Sequence, residues 1–358
     1  MIGWILAWVG LHAMVWCWLW LGLRKATCPA APNSEPEPGI SVVVAMRNEA
    51  DRVPKLVEAL RRQTYQPVEF VLVDDRSEDD TWQVLLRTTS GDPRFKRIRK
   101  PDSMPAGKKT TLGLGIEQTA HERLVFTDAD GEPKPEWLSV IARYATREPD
   151  AVLIGIGPML PENTALNRFV QYETLLTATL TMAAVGWGSA YMAVGRNFSY
   201  PKFLFSAVGG FTSHQYIMSG DDDLFIQAVR AQTRAPIRVV IEPESWVYSA
   251  APANFKRWFH QKTRHFSTGT AYRPVVQGTL MAFHILQWLS WVVLWFNPLG
   301  LGIALVARWV MMAWVFRKHP LGKGRLAWLS ALPFLDCGYI LMNMLIAPLG
   351  AYRKPLRW

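Results

Sequence analysis

Apolar residues in this chain fall into long unbroken runs at the two ends and short runs between polar stretches in the middle. Residues 1–23 are apolar, carry no formal charge and end at Arg24-Lys25. At the rise of an α-helix such a run spans roughly 35 Å, enough to cross a bilayer. Its start lacks basic side chains and its core is long and rich in Trp, which predicts an uncleaved anchor rather than a signal peptide. The basic pair then puts the following domain on the cytoplasmic side. Residues 275–316 read as two transmembrane helices that turn at Asn297-Pro298, with Arg317-Lys318-His319 and Lys323-Gly324-Arg325 on the cytoplasmic side. Residues 326–349 form a third membrane segment, spanning or re-entrant. Arg353-Lys354 and Arg357 follow it, and a re-entrant path keeps those cations inside. Arg308 and Asp336 would each cost roughly 2.5–3.5 kcal/mol at a helix centre in lipid, so snorkelling or mutual pairing is expected.

The middle of the chain has a different rhythm. Residues 24–39, rich in Pro, Ala and Glu, read as a linker. Short Val-rich runs at 40–46, 70–73, 123–127 and 151–156 predict buried strands. Helical spacing separates them at 51–63, from 79 onward, at 108–119 and at 135–147. This alternation predicts an α/β, Rossmann-like unit with a mostly parallel sheet covered by helices on both faces. Residues 165–185 read as a long amphipathic helix. Residues 254–265 interleave Lys and Arg with Phe and Trp, the pattern of an interfacial helix.

Charge and cysteine content narrow the class. The chain of 358 residues has 39 Lys and Arg against 29 Asp and Glu, a formal charge of +10. Such a balance suits nucleic acid or an anionic membrane surface. The apolar segments point to the membrane, and no nucleic-acid partner is expected. Cys17, Cys28 and Cys337 are scattered and suggest neither a disulfide nor a zinc framework.

Candidate chemistry sits in four clusters in a set order: Asp74-Asp75, Asp128-Ala129-Asp130, Asp221-Asp222-Asp223 and Gln261-Lys262-Thr263-Arg264-His265. The first two follow predicted strands, and ligands of such sheets bind beyond the strands' carboxyl ends. Two carboxylates one residue apart, Asp128 and Asp130, suit a divalent cation with oxygen ligands, Mg or Mn. Such an ion would neutralise a diphosphate leaving group. The third cluster can supply a general base and the fourth cations for phosphate oxygens. Turn or capping roles remain open for Asp74 and Asp75, and a solvated helix-start charge remains open for Lys108.

In order and spacing the chain from about 40 to 269 is similar to family 2 glycosyltransferases of the GT-A fold. It resembles especially the membrane-anchored branch with cellulose synthase-like and ceramide glucosyltransferase-like enzymes. The stretches that carry the resemblance are Ser41 to Glu49, Val73 to Thr81, Gly107-Lys108, Phe126 to Asp130, and Gly195-Arg196-Asn197 leading to Gly209-Gly210-Phe211. The resemblance implies donor binding by Asp74, Asp75, Lys108, Asp128, Gln261 and Arg264, and metal binding by Asp128 and Asp130. It implies a base at Asp221, with Asp222 as the alternative, and an acceptor side that includes Asp223 and His265. Two departures stand out. Gly220 replaces a Glu before the base, and His265 replaces a Trp beside the acceptor.

The domain from 40 to 270 is thus expected to be a GT-A glycosyltransferase domain at the cytoplasmic face of a multi-pass cell-membrane protein. It would move a sugar from a UDP- or GDP-linked donor to a lipid or lipid-linked acceptor, with inversion. A subunit of a processive polysaccharide synthase and a catalytically inactive, membrane-anchored binding scaffold are the alternatives.

Overall fold

The computed structural model describes residues 2–26, 38–294, 297–322 and 330–352. Most of the expected linker, and the basic groups at Lys323-Gly324-Arg325, Arg353-Lys354 and Arg357, lie outside the described residues. These fall into two compact units, one built from 38–160 and 190–251, the other from 2–26, 161–189 and the described part of 252–352. The domain expected over 40–270 is therefore interrupted: residues 161–189 and 252–270 pack with the second unit.

In chain order the elements begin with α1 (Ile2–Ala26), β1 (Ile40–Met46), α2 (Val53–Arg61), β2 (Val68–Asp74), α3 (Thr81–Thr88) and β3 (Phe95–Arg99). There follow α4 (Lys108–Glu117), β4 (Arg123–Phe126), β5 (Glu132–Pro133), α5 (Trp137–Arg147), β6 (Val152–Gly155) and α6 (Ala165–Gly186). Next come β7 (Phe198–Pro201), α7 (Lys202–Ala207), α8 (Asp223–Gln232), β8 (Ile237–Val240) and β9 (Val247–Tyr248). The chain continues through α9 (Phe255–Gly269), α10 (Pro274–Leu294), α11 (Pro298–Lys318) and α12 (Leu332–Tyr352).

The first unit is built on a seven-stranded sheet of order β3-β2-β1-β4-β7-β6-β8. β1 is central and buried along its whole length, as its run of Val and Ile requires of a strand covered on both faces. It pairs in parallel with β2, Met46 opposite Asp74, and with β4, Val43 opposite Phe126. Asp74, Asp75 and Asp128 thereby end neighbouring strands or the loops just after them. The expected mostly parallel sheet is present with one inversion. β7 runs antiparallel to both β4 and β6. β3, β7 and β8 were not expected; β3 has only Phe95 buried and β8 is half-buried at its start, so neither presents a long apolar run. The main core gathers Val42, Val44, Leu56, Leu60, Phe70, Leu72, Trp137 and Ile141 between the sheet and its helices.

In the second unit α1 packs along α6 and α11. Gly22 and Gly186 allow the first contact: a Cβ on Gly186 would fall 1.9 Å from the Gly22 carbonyl. Lys25 caps the pair, its ammonium 3.7 Å from the Trp187 ring centroid. Residues 5–26 and α11 are long and apolar enough to cross a membrane. α10 has similar length, with buried Gln287 and Ser290 one helical turn apart, and Ser290 meets His12 of α1 at 2.8 Å. Of snorkelling and mutual pairing, the second is found: Arg308 Nη2 lies 2.6 Å from Asp336 Oδ1. Tyr172 and the Trp309 indole also donate to that carboxylate, at 2.9 and 3.0 Å.

Candidate active site

The site of the first unit starts with two loops at the ends of β1 and β2. Asn48 (φ 55°) and Arg76 (φ 53°) take left-handed backbone conformations there, which cost energy for non-glycine residues. Side chains hold the turn in exchange. The Ser77 hydroxyl accepts from Asn48 N at 2.9 Å, and Asn48 Oδ1 accepts from Glu78 N at 2.9 Å.

Asp74 and Asp75 are both fully buried. Asp74 accepts from the Ser77 hydroxyl at 2.5 Å, the turn arrangement left open from the sequence. Asp75 is ion-paired with buried Lys100 and accepts from Gly107 N at 2.9 Å. Lys100, which sequence reasoning missed, donates in addition to Thr110 and Thr111 at 3.0 and 2.9 Å. These contacts tie β2 and β3 to the first turn of α4.

From that turn Lys108 reaches two acidic clusters at once. Its Nζ is 2.8 Å from Asp128 Oδ1 and 2.9 Å from Asp221 Oδ2. Burial alone would lower its pKa, but Asp128, Asp221 and Asp222 together push the ammonium above its ordinary value. Lys108, Asp128, Asp221 and Asp222 line one small cavity with Gly195, Phe198, Tyr200 and Phe211. Helix α4 thus joins clusters that stand far apart in sequence.

The acidic triplet separates into three environments. Asp221 follows Gly220, whose φ of 84° is a conformation that L side chains rarely adopt. A Glu at this position would be strained in this backbone. Asp222 caps α8. Its Oδ1 accepts from Asp223 N and its Oδ2 from Gly195 N, both at 2.8 Å. Burial, and then the adjacent Asp221, raise its pKa, while Lys108 opposes. Asp223 accepts from Ala193 N at 3.2 Å.

Asp130 accepts from the Ser249 hydroxyl at 2.8 Å. Two residues not singled out from the sequence share the field of Asp128 and Asp130. Burial raises the Glu49 carboxyl and both aspartates add to this, while Arg52 opposes. Arg196, inside the Gly195-Arg196-Asn197 motif, is lowered by burial while Asp130, Asp128 and Asp222 oppose. Its guanidinium donates to the Gly157 carbonyl. The sequence marks Arg196 only as part of the Gly195-Arg196-Asn197 stretch, and its place beside Asp128, Asp130 and Asp222 is set by the fold.

Asp128 and Asp130 offer the hard oxygen donors that Mg or Mn prefers. Among the described residues no group of three His, Cys, Asp or Glu side chains stands close enough to hold a metal ion. Any ion held by Asp128 and Asp130 would take its other ligands from outside the described residues.

The fourth cluster belongs to the second unit, on α9. Asn254 caps this helix by accepting from Arg257 N at 3.0 Å. Gln261 and Arg264, one turn apart, share a face with His265, which is exposed. Lys262 points elsewhere, to buried Glu173 at 2.8 Å, and Trp258 donates to the same carboxylate at 3.2 Å. Arg264 Nε is buried and has no hydrogen-bond partner among the described residues.

Comparison with known proteins gives this geometry a context. The profile of glycosyl transferase family 2 matches residues 41–209. An undecaprenyl-phosphate 4-deoxy-4-formamido-L-arabinose transferase of Pectobacterium carotovorum is 31% identical over 116 residues, 32% of this chain and 35% of that protein. A 4,4'-diaponeurosporenoate glycosyltransferase of Staphylococcus haemolyticus is 31% identical over 118 residues, 32% of this chain and 31% of that protein. The match thus spans about a third of the length of these relatives. Among solved structures, a mannosyltransferase of Pyrobaculum calidifontis in complex with GDP-Man and Mn2+ superposes with a TM-score of 0.54 at 19% identity. It covers 95% of this chain and 98% of that one, and the shared fold is GT-A.

Proposed function

We propose, for a chain whose residues 41–209 match glycosyl transferase family 2, the transfer of a sugar from a nucleotide diphosphate to a lipid or lipid-linked acceptor at the cytoplasmic membrane face. The observation that carries the reading is the ammonium of Lys108 between Asp128 and Asp221. This supports the reading, because Asp128, one carboxylate of the pair suited to a diphosphate-bound cation, and the candidate base Asp221 both line one cavity.

In the proposed reaction Asp221 takes the proton of an acceptor hydroxyl while that oxygen attacks the anomeric carbon. The bond from this carbon to the diphosphate oxygen breaks, and the nucleoside diphosphate leaves with the bonding electrons. A single displacement inverts the anomeric centre. Asp128 and Asp130 would hold the divalent cation, Mg or Mn, which supplies positive charge for the departing diphosphate. Asp221 suits the base because the ammonium on its Oδ2 is one that donor phosphates can draw away, leaving the carboxylate open to a proton. Asp222 is less suited, since both of its oxygens already accept backbone N–H groups. Asp74 and Asp75 shape the donor pocket from within their loops. Asp223 belongs to the acceptor side.

The lipid acceptor draws support from two features. Residues 5–26 and α11 suit a membrane, and the two relatives cited above are named for an undecaprenyl phosphate and a diaponeurosporenoate. The test is purified protein in lipid vesicles with a panel of UDP- and GDP-sugars and Mn or Mg. Sugar should appear in the lipid fraction with one donor. Donor release without any acceptor product, or growth of a long polymer, would replace the lipid reading. Complete inertness with every donor would favour a binding scaffold.

A further inference from the structure

Lys109 follows Lys108 on α4 and its side chain leaves in a different direction. It is 5% exposed. Its Nζ lies 2.8 Å from each of three backbone carbonyls, those of His214, Ile217 and Ser219. An ammonium has three N–H donors and no acceptor, so these three bonds use all of its capacity. The carbonyls belong to a stretch with little structure of its own. Beyond a short turn at Thr212–His214, residues up to Asp222 lie in neither helix nor strand. Gly209 and Gly210 (φ 72° and 60°) enter it, and Gly220 leaves it. Such a segment lacks ladder partners for its carbonyls, and unpaired buried carbonyls are costly.

We propose that Lys109 is a positioning residue that holds the segment 212–222 in the conformation that delivers Asp221 to Lys108 and Asp128. The inference rests on the reading of Asp221 as the base. The two consecutive lysines act on different parts of the segment. Lys109 fixes its backbone, and Lys108 fixes the carboxylate at its end. A charge-assisted cage suits the role of Lys109, because bonds to an ammonium are stronger than those between neutral groups. The groups that face Lys109 agree with a retained charge. Burial pulls its pKa down to about 8, and Asp221 and Asp222 oppose. The nearby His214 imidazole is lowered to about 4 by burial and then by Lys109 itself, so it stays neutral and adds no competing cation at neutral pH. Glu117 and Lys202 share with Lys109 the lining of a cleft of about 460 Å³, and Lys202 is itself held by the Thr119 carbonyl at 3.0 Å.

The cleft makes a chemical rescue feasible. Lys109→Ala removes the ammonium and its stem, and propylammonium in solution can replace both. Hydrogen exchange across residues 212–222 is compared in wild type, Lys109→Ala and Lys109→Met, with and without propylammonium. Protection in this segment should fall in both variants and return with the amine in Lys109→Ala alone, since Met still fills the stem. Amides of α2 and α5 should not change. Turnover should follow, with kcat reduced on the order of 10²-fold and restored by the amine, as a misplacement of about 1 Å can cost that much. The donor KM should stay within about twofold, as uniform binding is untouched. Unchanged exchange in both variants, or a loss spread over the whole unit that the amine does not reverse, would overturn the proposal. If the wild type transfers no sugar, the proposed function fails, while the exchange comparison still decides whether Lys109 orders the segment.

Discussion

Lys108 Nζ lies 2.9 Å from Asp221 Oδ2, and this contact closes the gap between the start of α4 and the start of α8. The same ammonium touches Asp128 at 2.8 Å. One cation therefore sets the spacing between the candidate base and the candidate cation ligands. A diphosphate entering the site would bring negative oxygens that compete for this ammonium, so donor binding and the state of Asp221 are expected to be coupled. Lys108→Gln should weaken donor binding and lower kcat together, and Lys108→Arg should recover part of both. Isothermal titration with the donor, alongside turnover, checks this.

Asp221→Asn should reduce kcat by about 10²–10⁴, the usual range for loss of a general base, without weakening donor binding. Asp222→Asn should do less, because Asp222 accepts two backbone N–H groups rather than facing an acceptor hydroxyl, although Asn can keep only one of those two bonds. A greater loss of turnover in Asp222→Asn than in Asp221→Asn, at equal donor affinity, would move the base to Asp222.

Asp130→Asn should abolish Mn- or Mg-dependent donor turnover and leave the melting temperature nearly unchanged. The partner lost by Asp130 within the protein is one hydroxyl, Ser249 at 2.8 Å, a contact of about 0.5–1.5 kcal/mol that Asn can replace. Full activity of the wild type in excess chelator would remove the cation from the scheme.

Burial and Asp221 raise the pKa of Asp222 above the ordinary carboxylate value of 3.8. The folded state then binds more protons than the unfolded one as pH climbs out of that range, so this group lowers stability with rising pH there. Replacing Asp222 with Asn removes the titration. Urea unfolding from about pH 4 upward should show a flatter dependence in the variant; an unaltered slope would mean that Asp222 is ionised throughout.

Arg308 and Asp336 are 2% and 0% exposed and meet at 2.6 Å. Arg308→Met alone should destabilise by about 3–5 kcal/mol, since it leaves a buried carboxylate without its cation. Arg308→Met combined with Asp336→Leu should recover most of that loss. Thermal unfolding in detergent of the two single variants and the double one measures the coupling.

Several parts of this protein follow from its order of residues alone. Apolar runs with basic flanks define the helices suited to a membrane, because hydrocarbon length and charge placement are local properties. Apolar runs define β1, β2 and β4, and Asp74 and Asp128 at the ends of the last two mark the edge where ligands gather. The spacing of Asp128 to Asp130 and of Asp221 to Leu224 carries the resemblance to a family without any contact map. Other features depend on the fold. That Asp75 is held by Lys100, that Arg196 shares the field of Asp128 and Asp130, and that Asp221 and Asp222 differ in role depend on side chains meeting from distant elements. β3 is interrupted by Lys and Arg and mostly exposed, and β7 is interrupted by Ser199 and ended by Pro201, so neither stands out as an apolar run, and only pairing with their neighbours makes them strands. Gly220 shows the boundary between the two kinds of information. In sequence it is a missing Glu, and only the backbone at φ 84° shows why a side chain there would be strained.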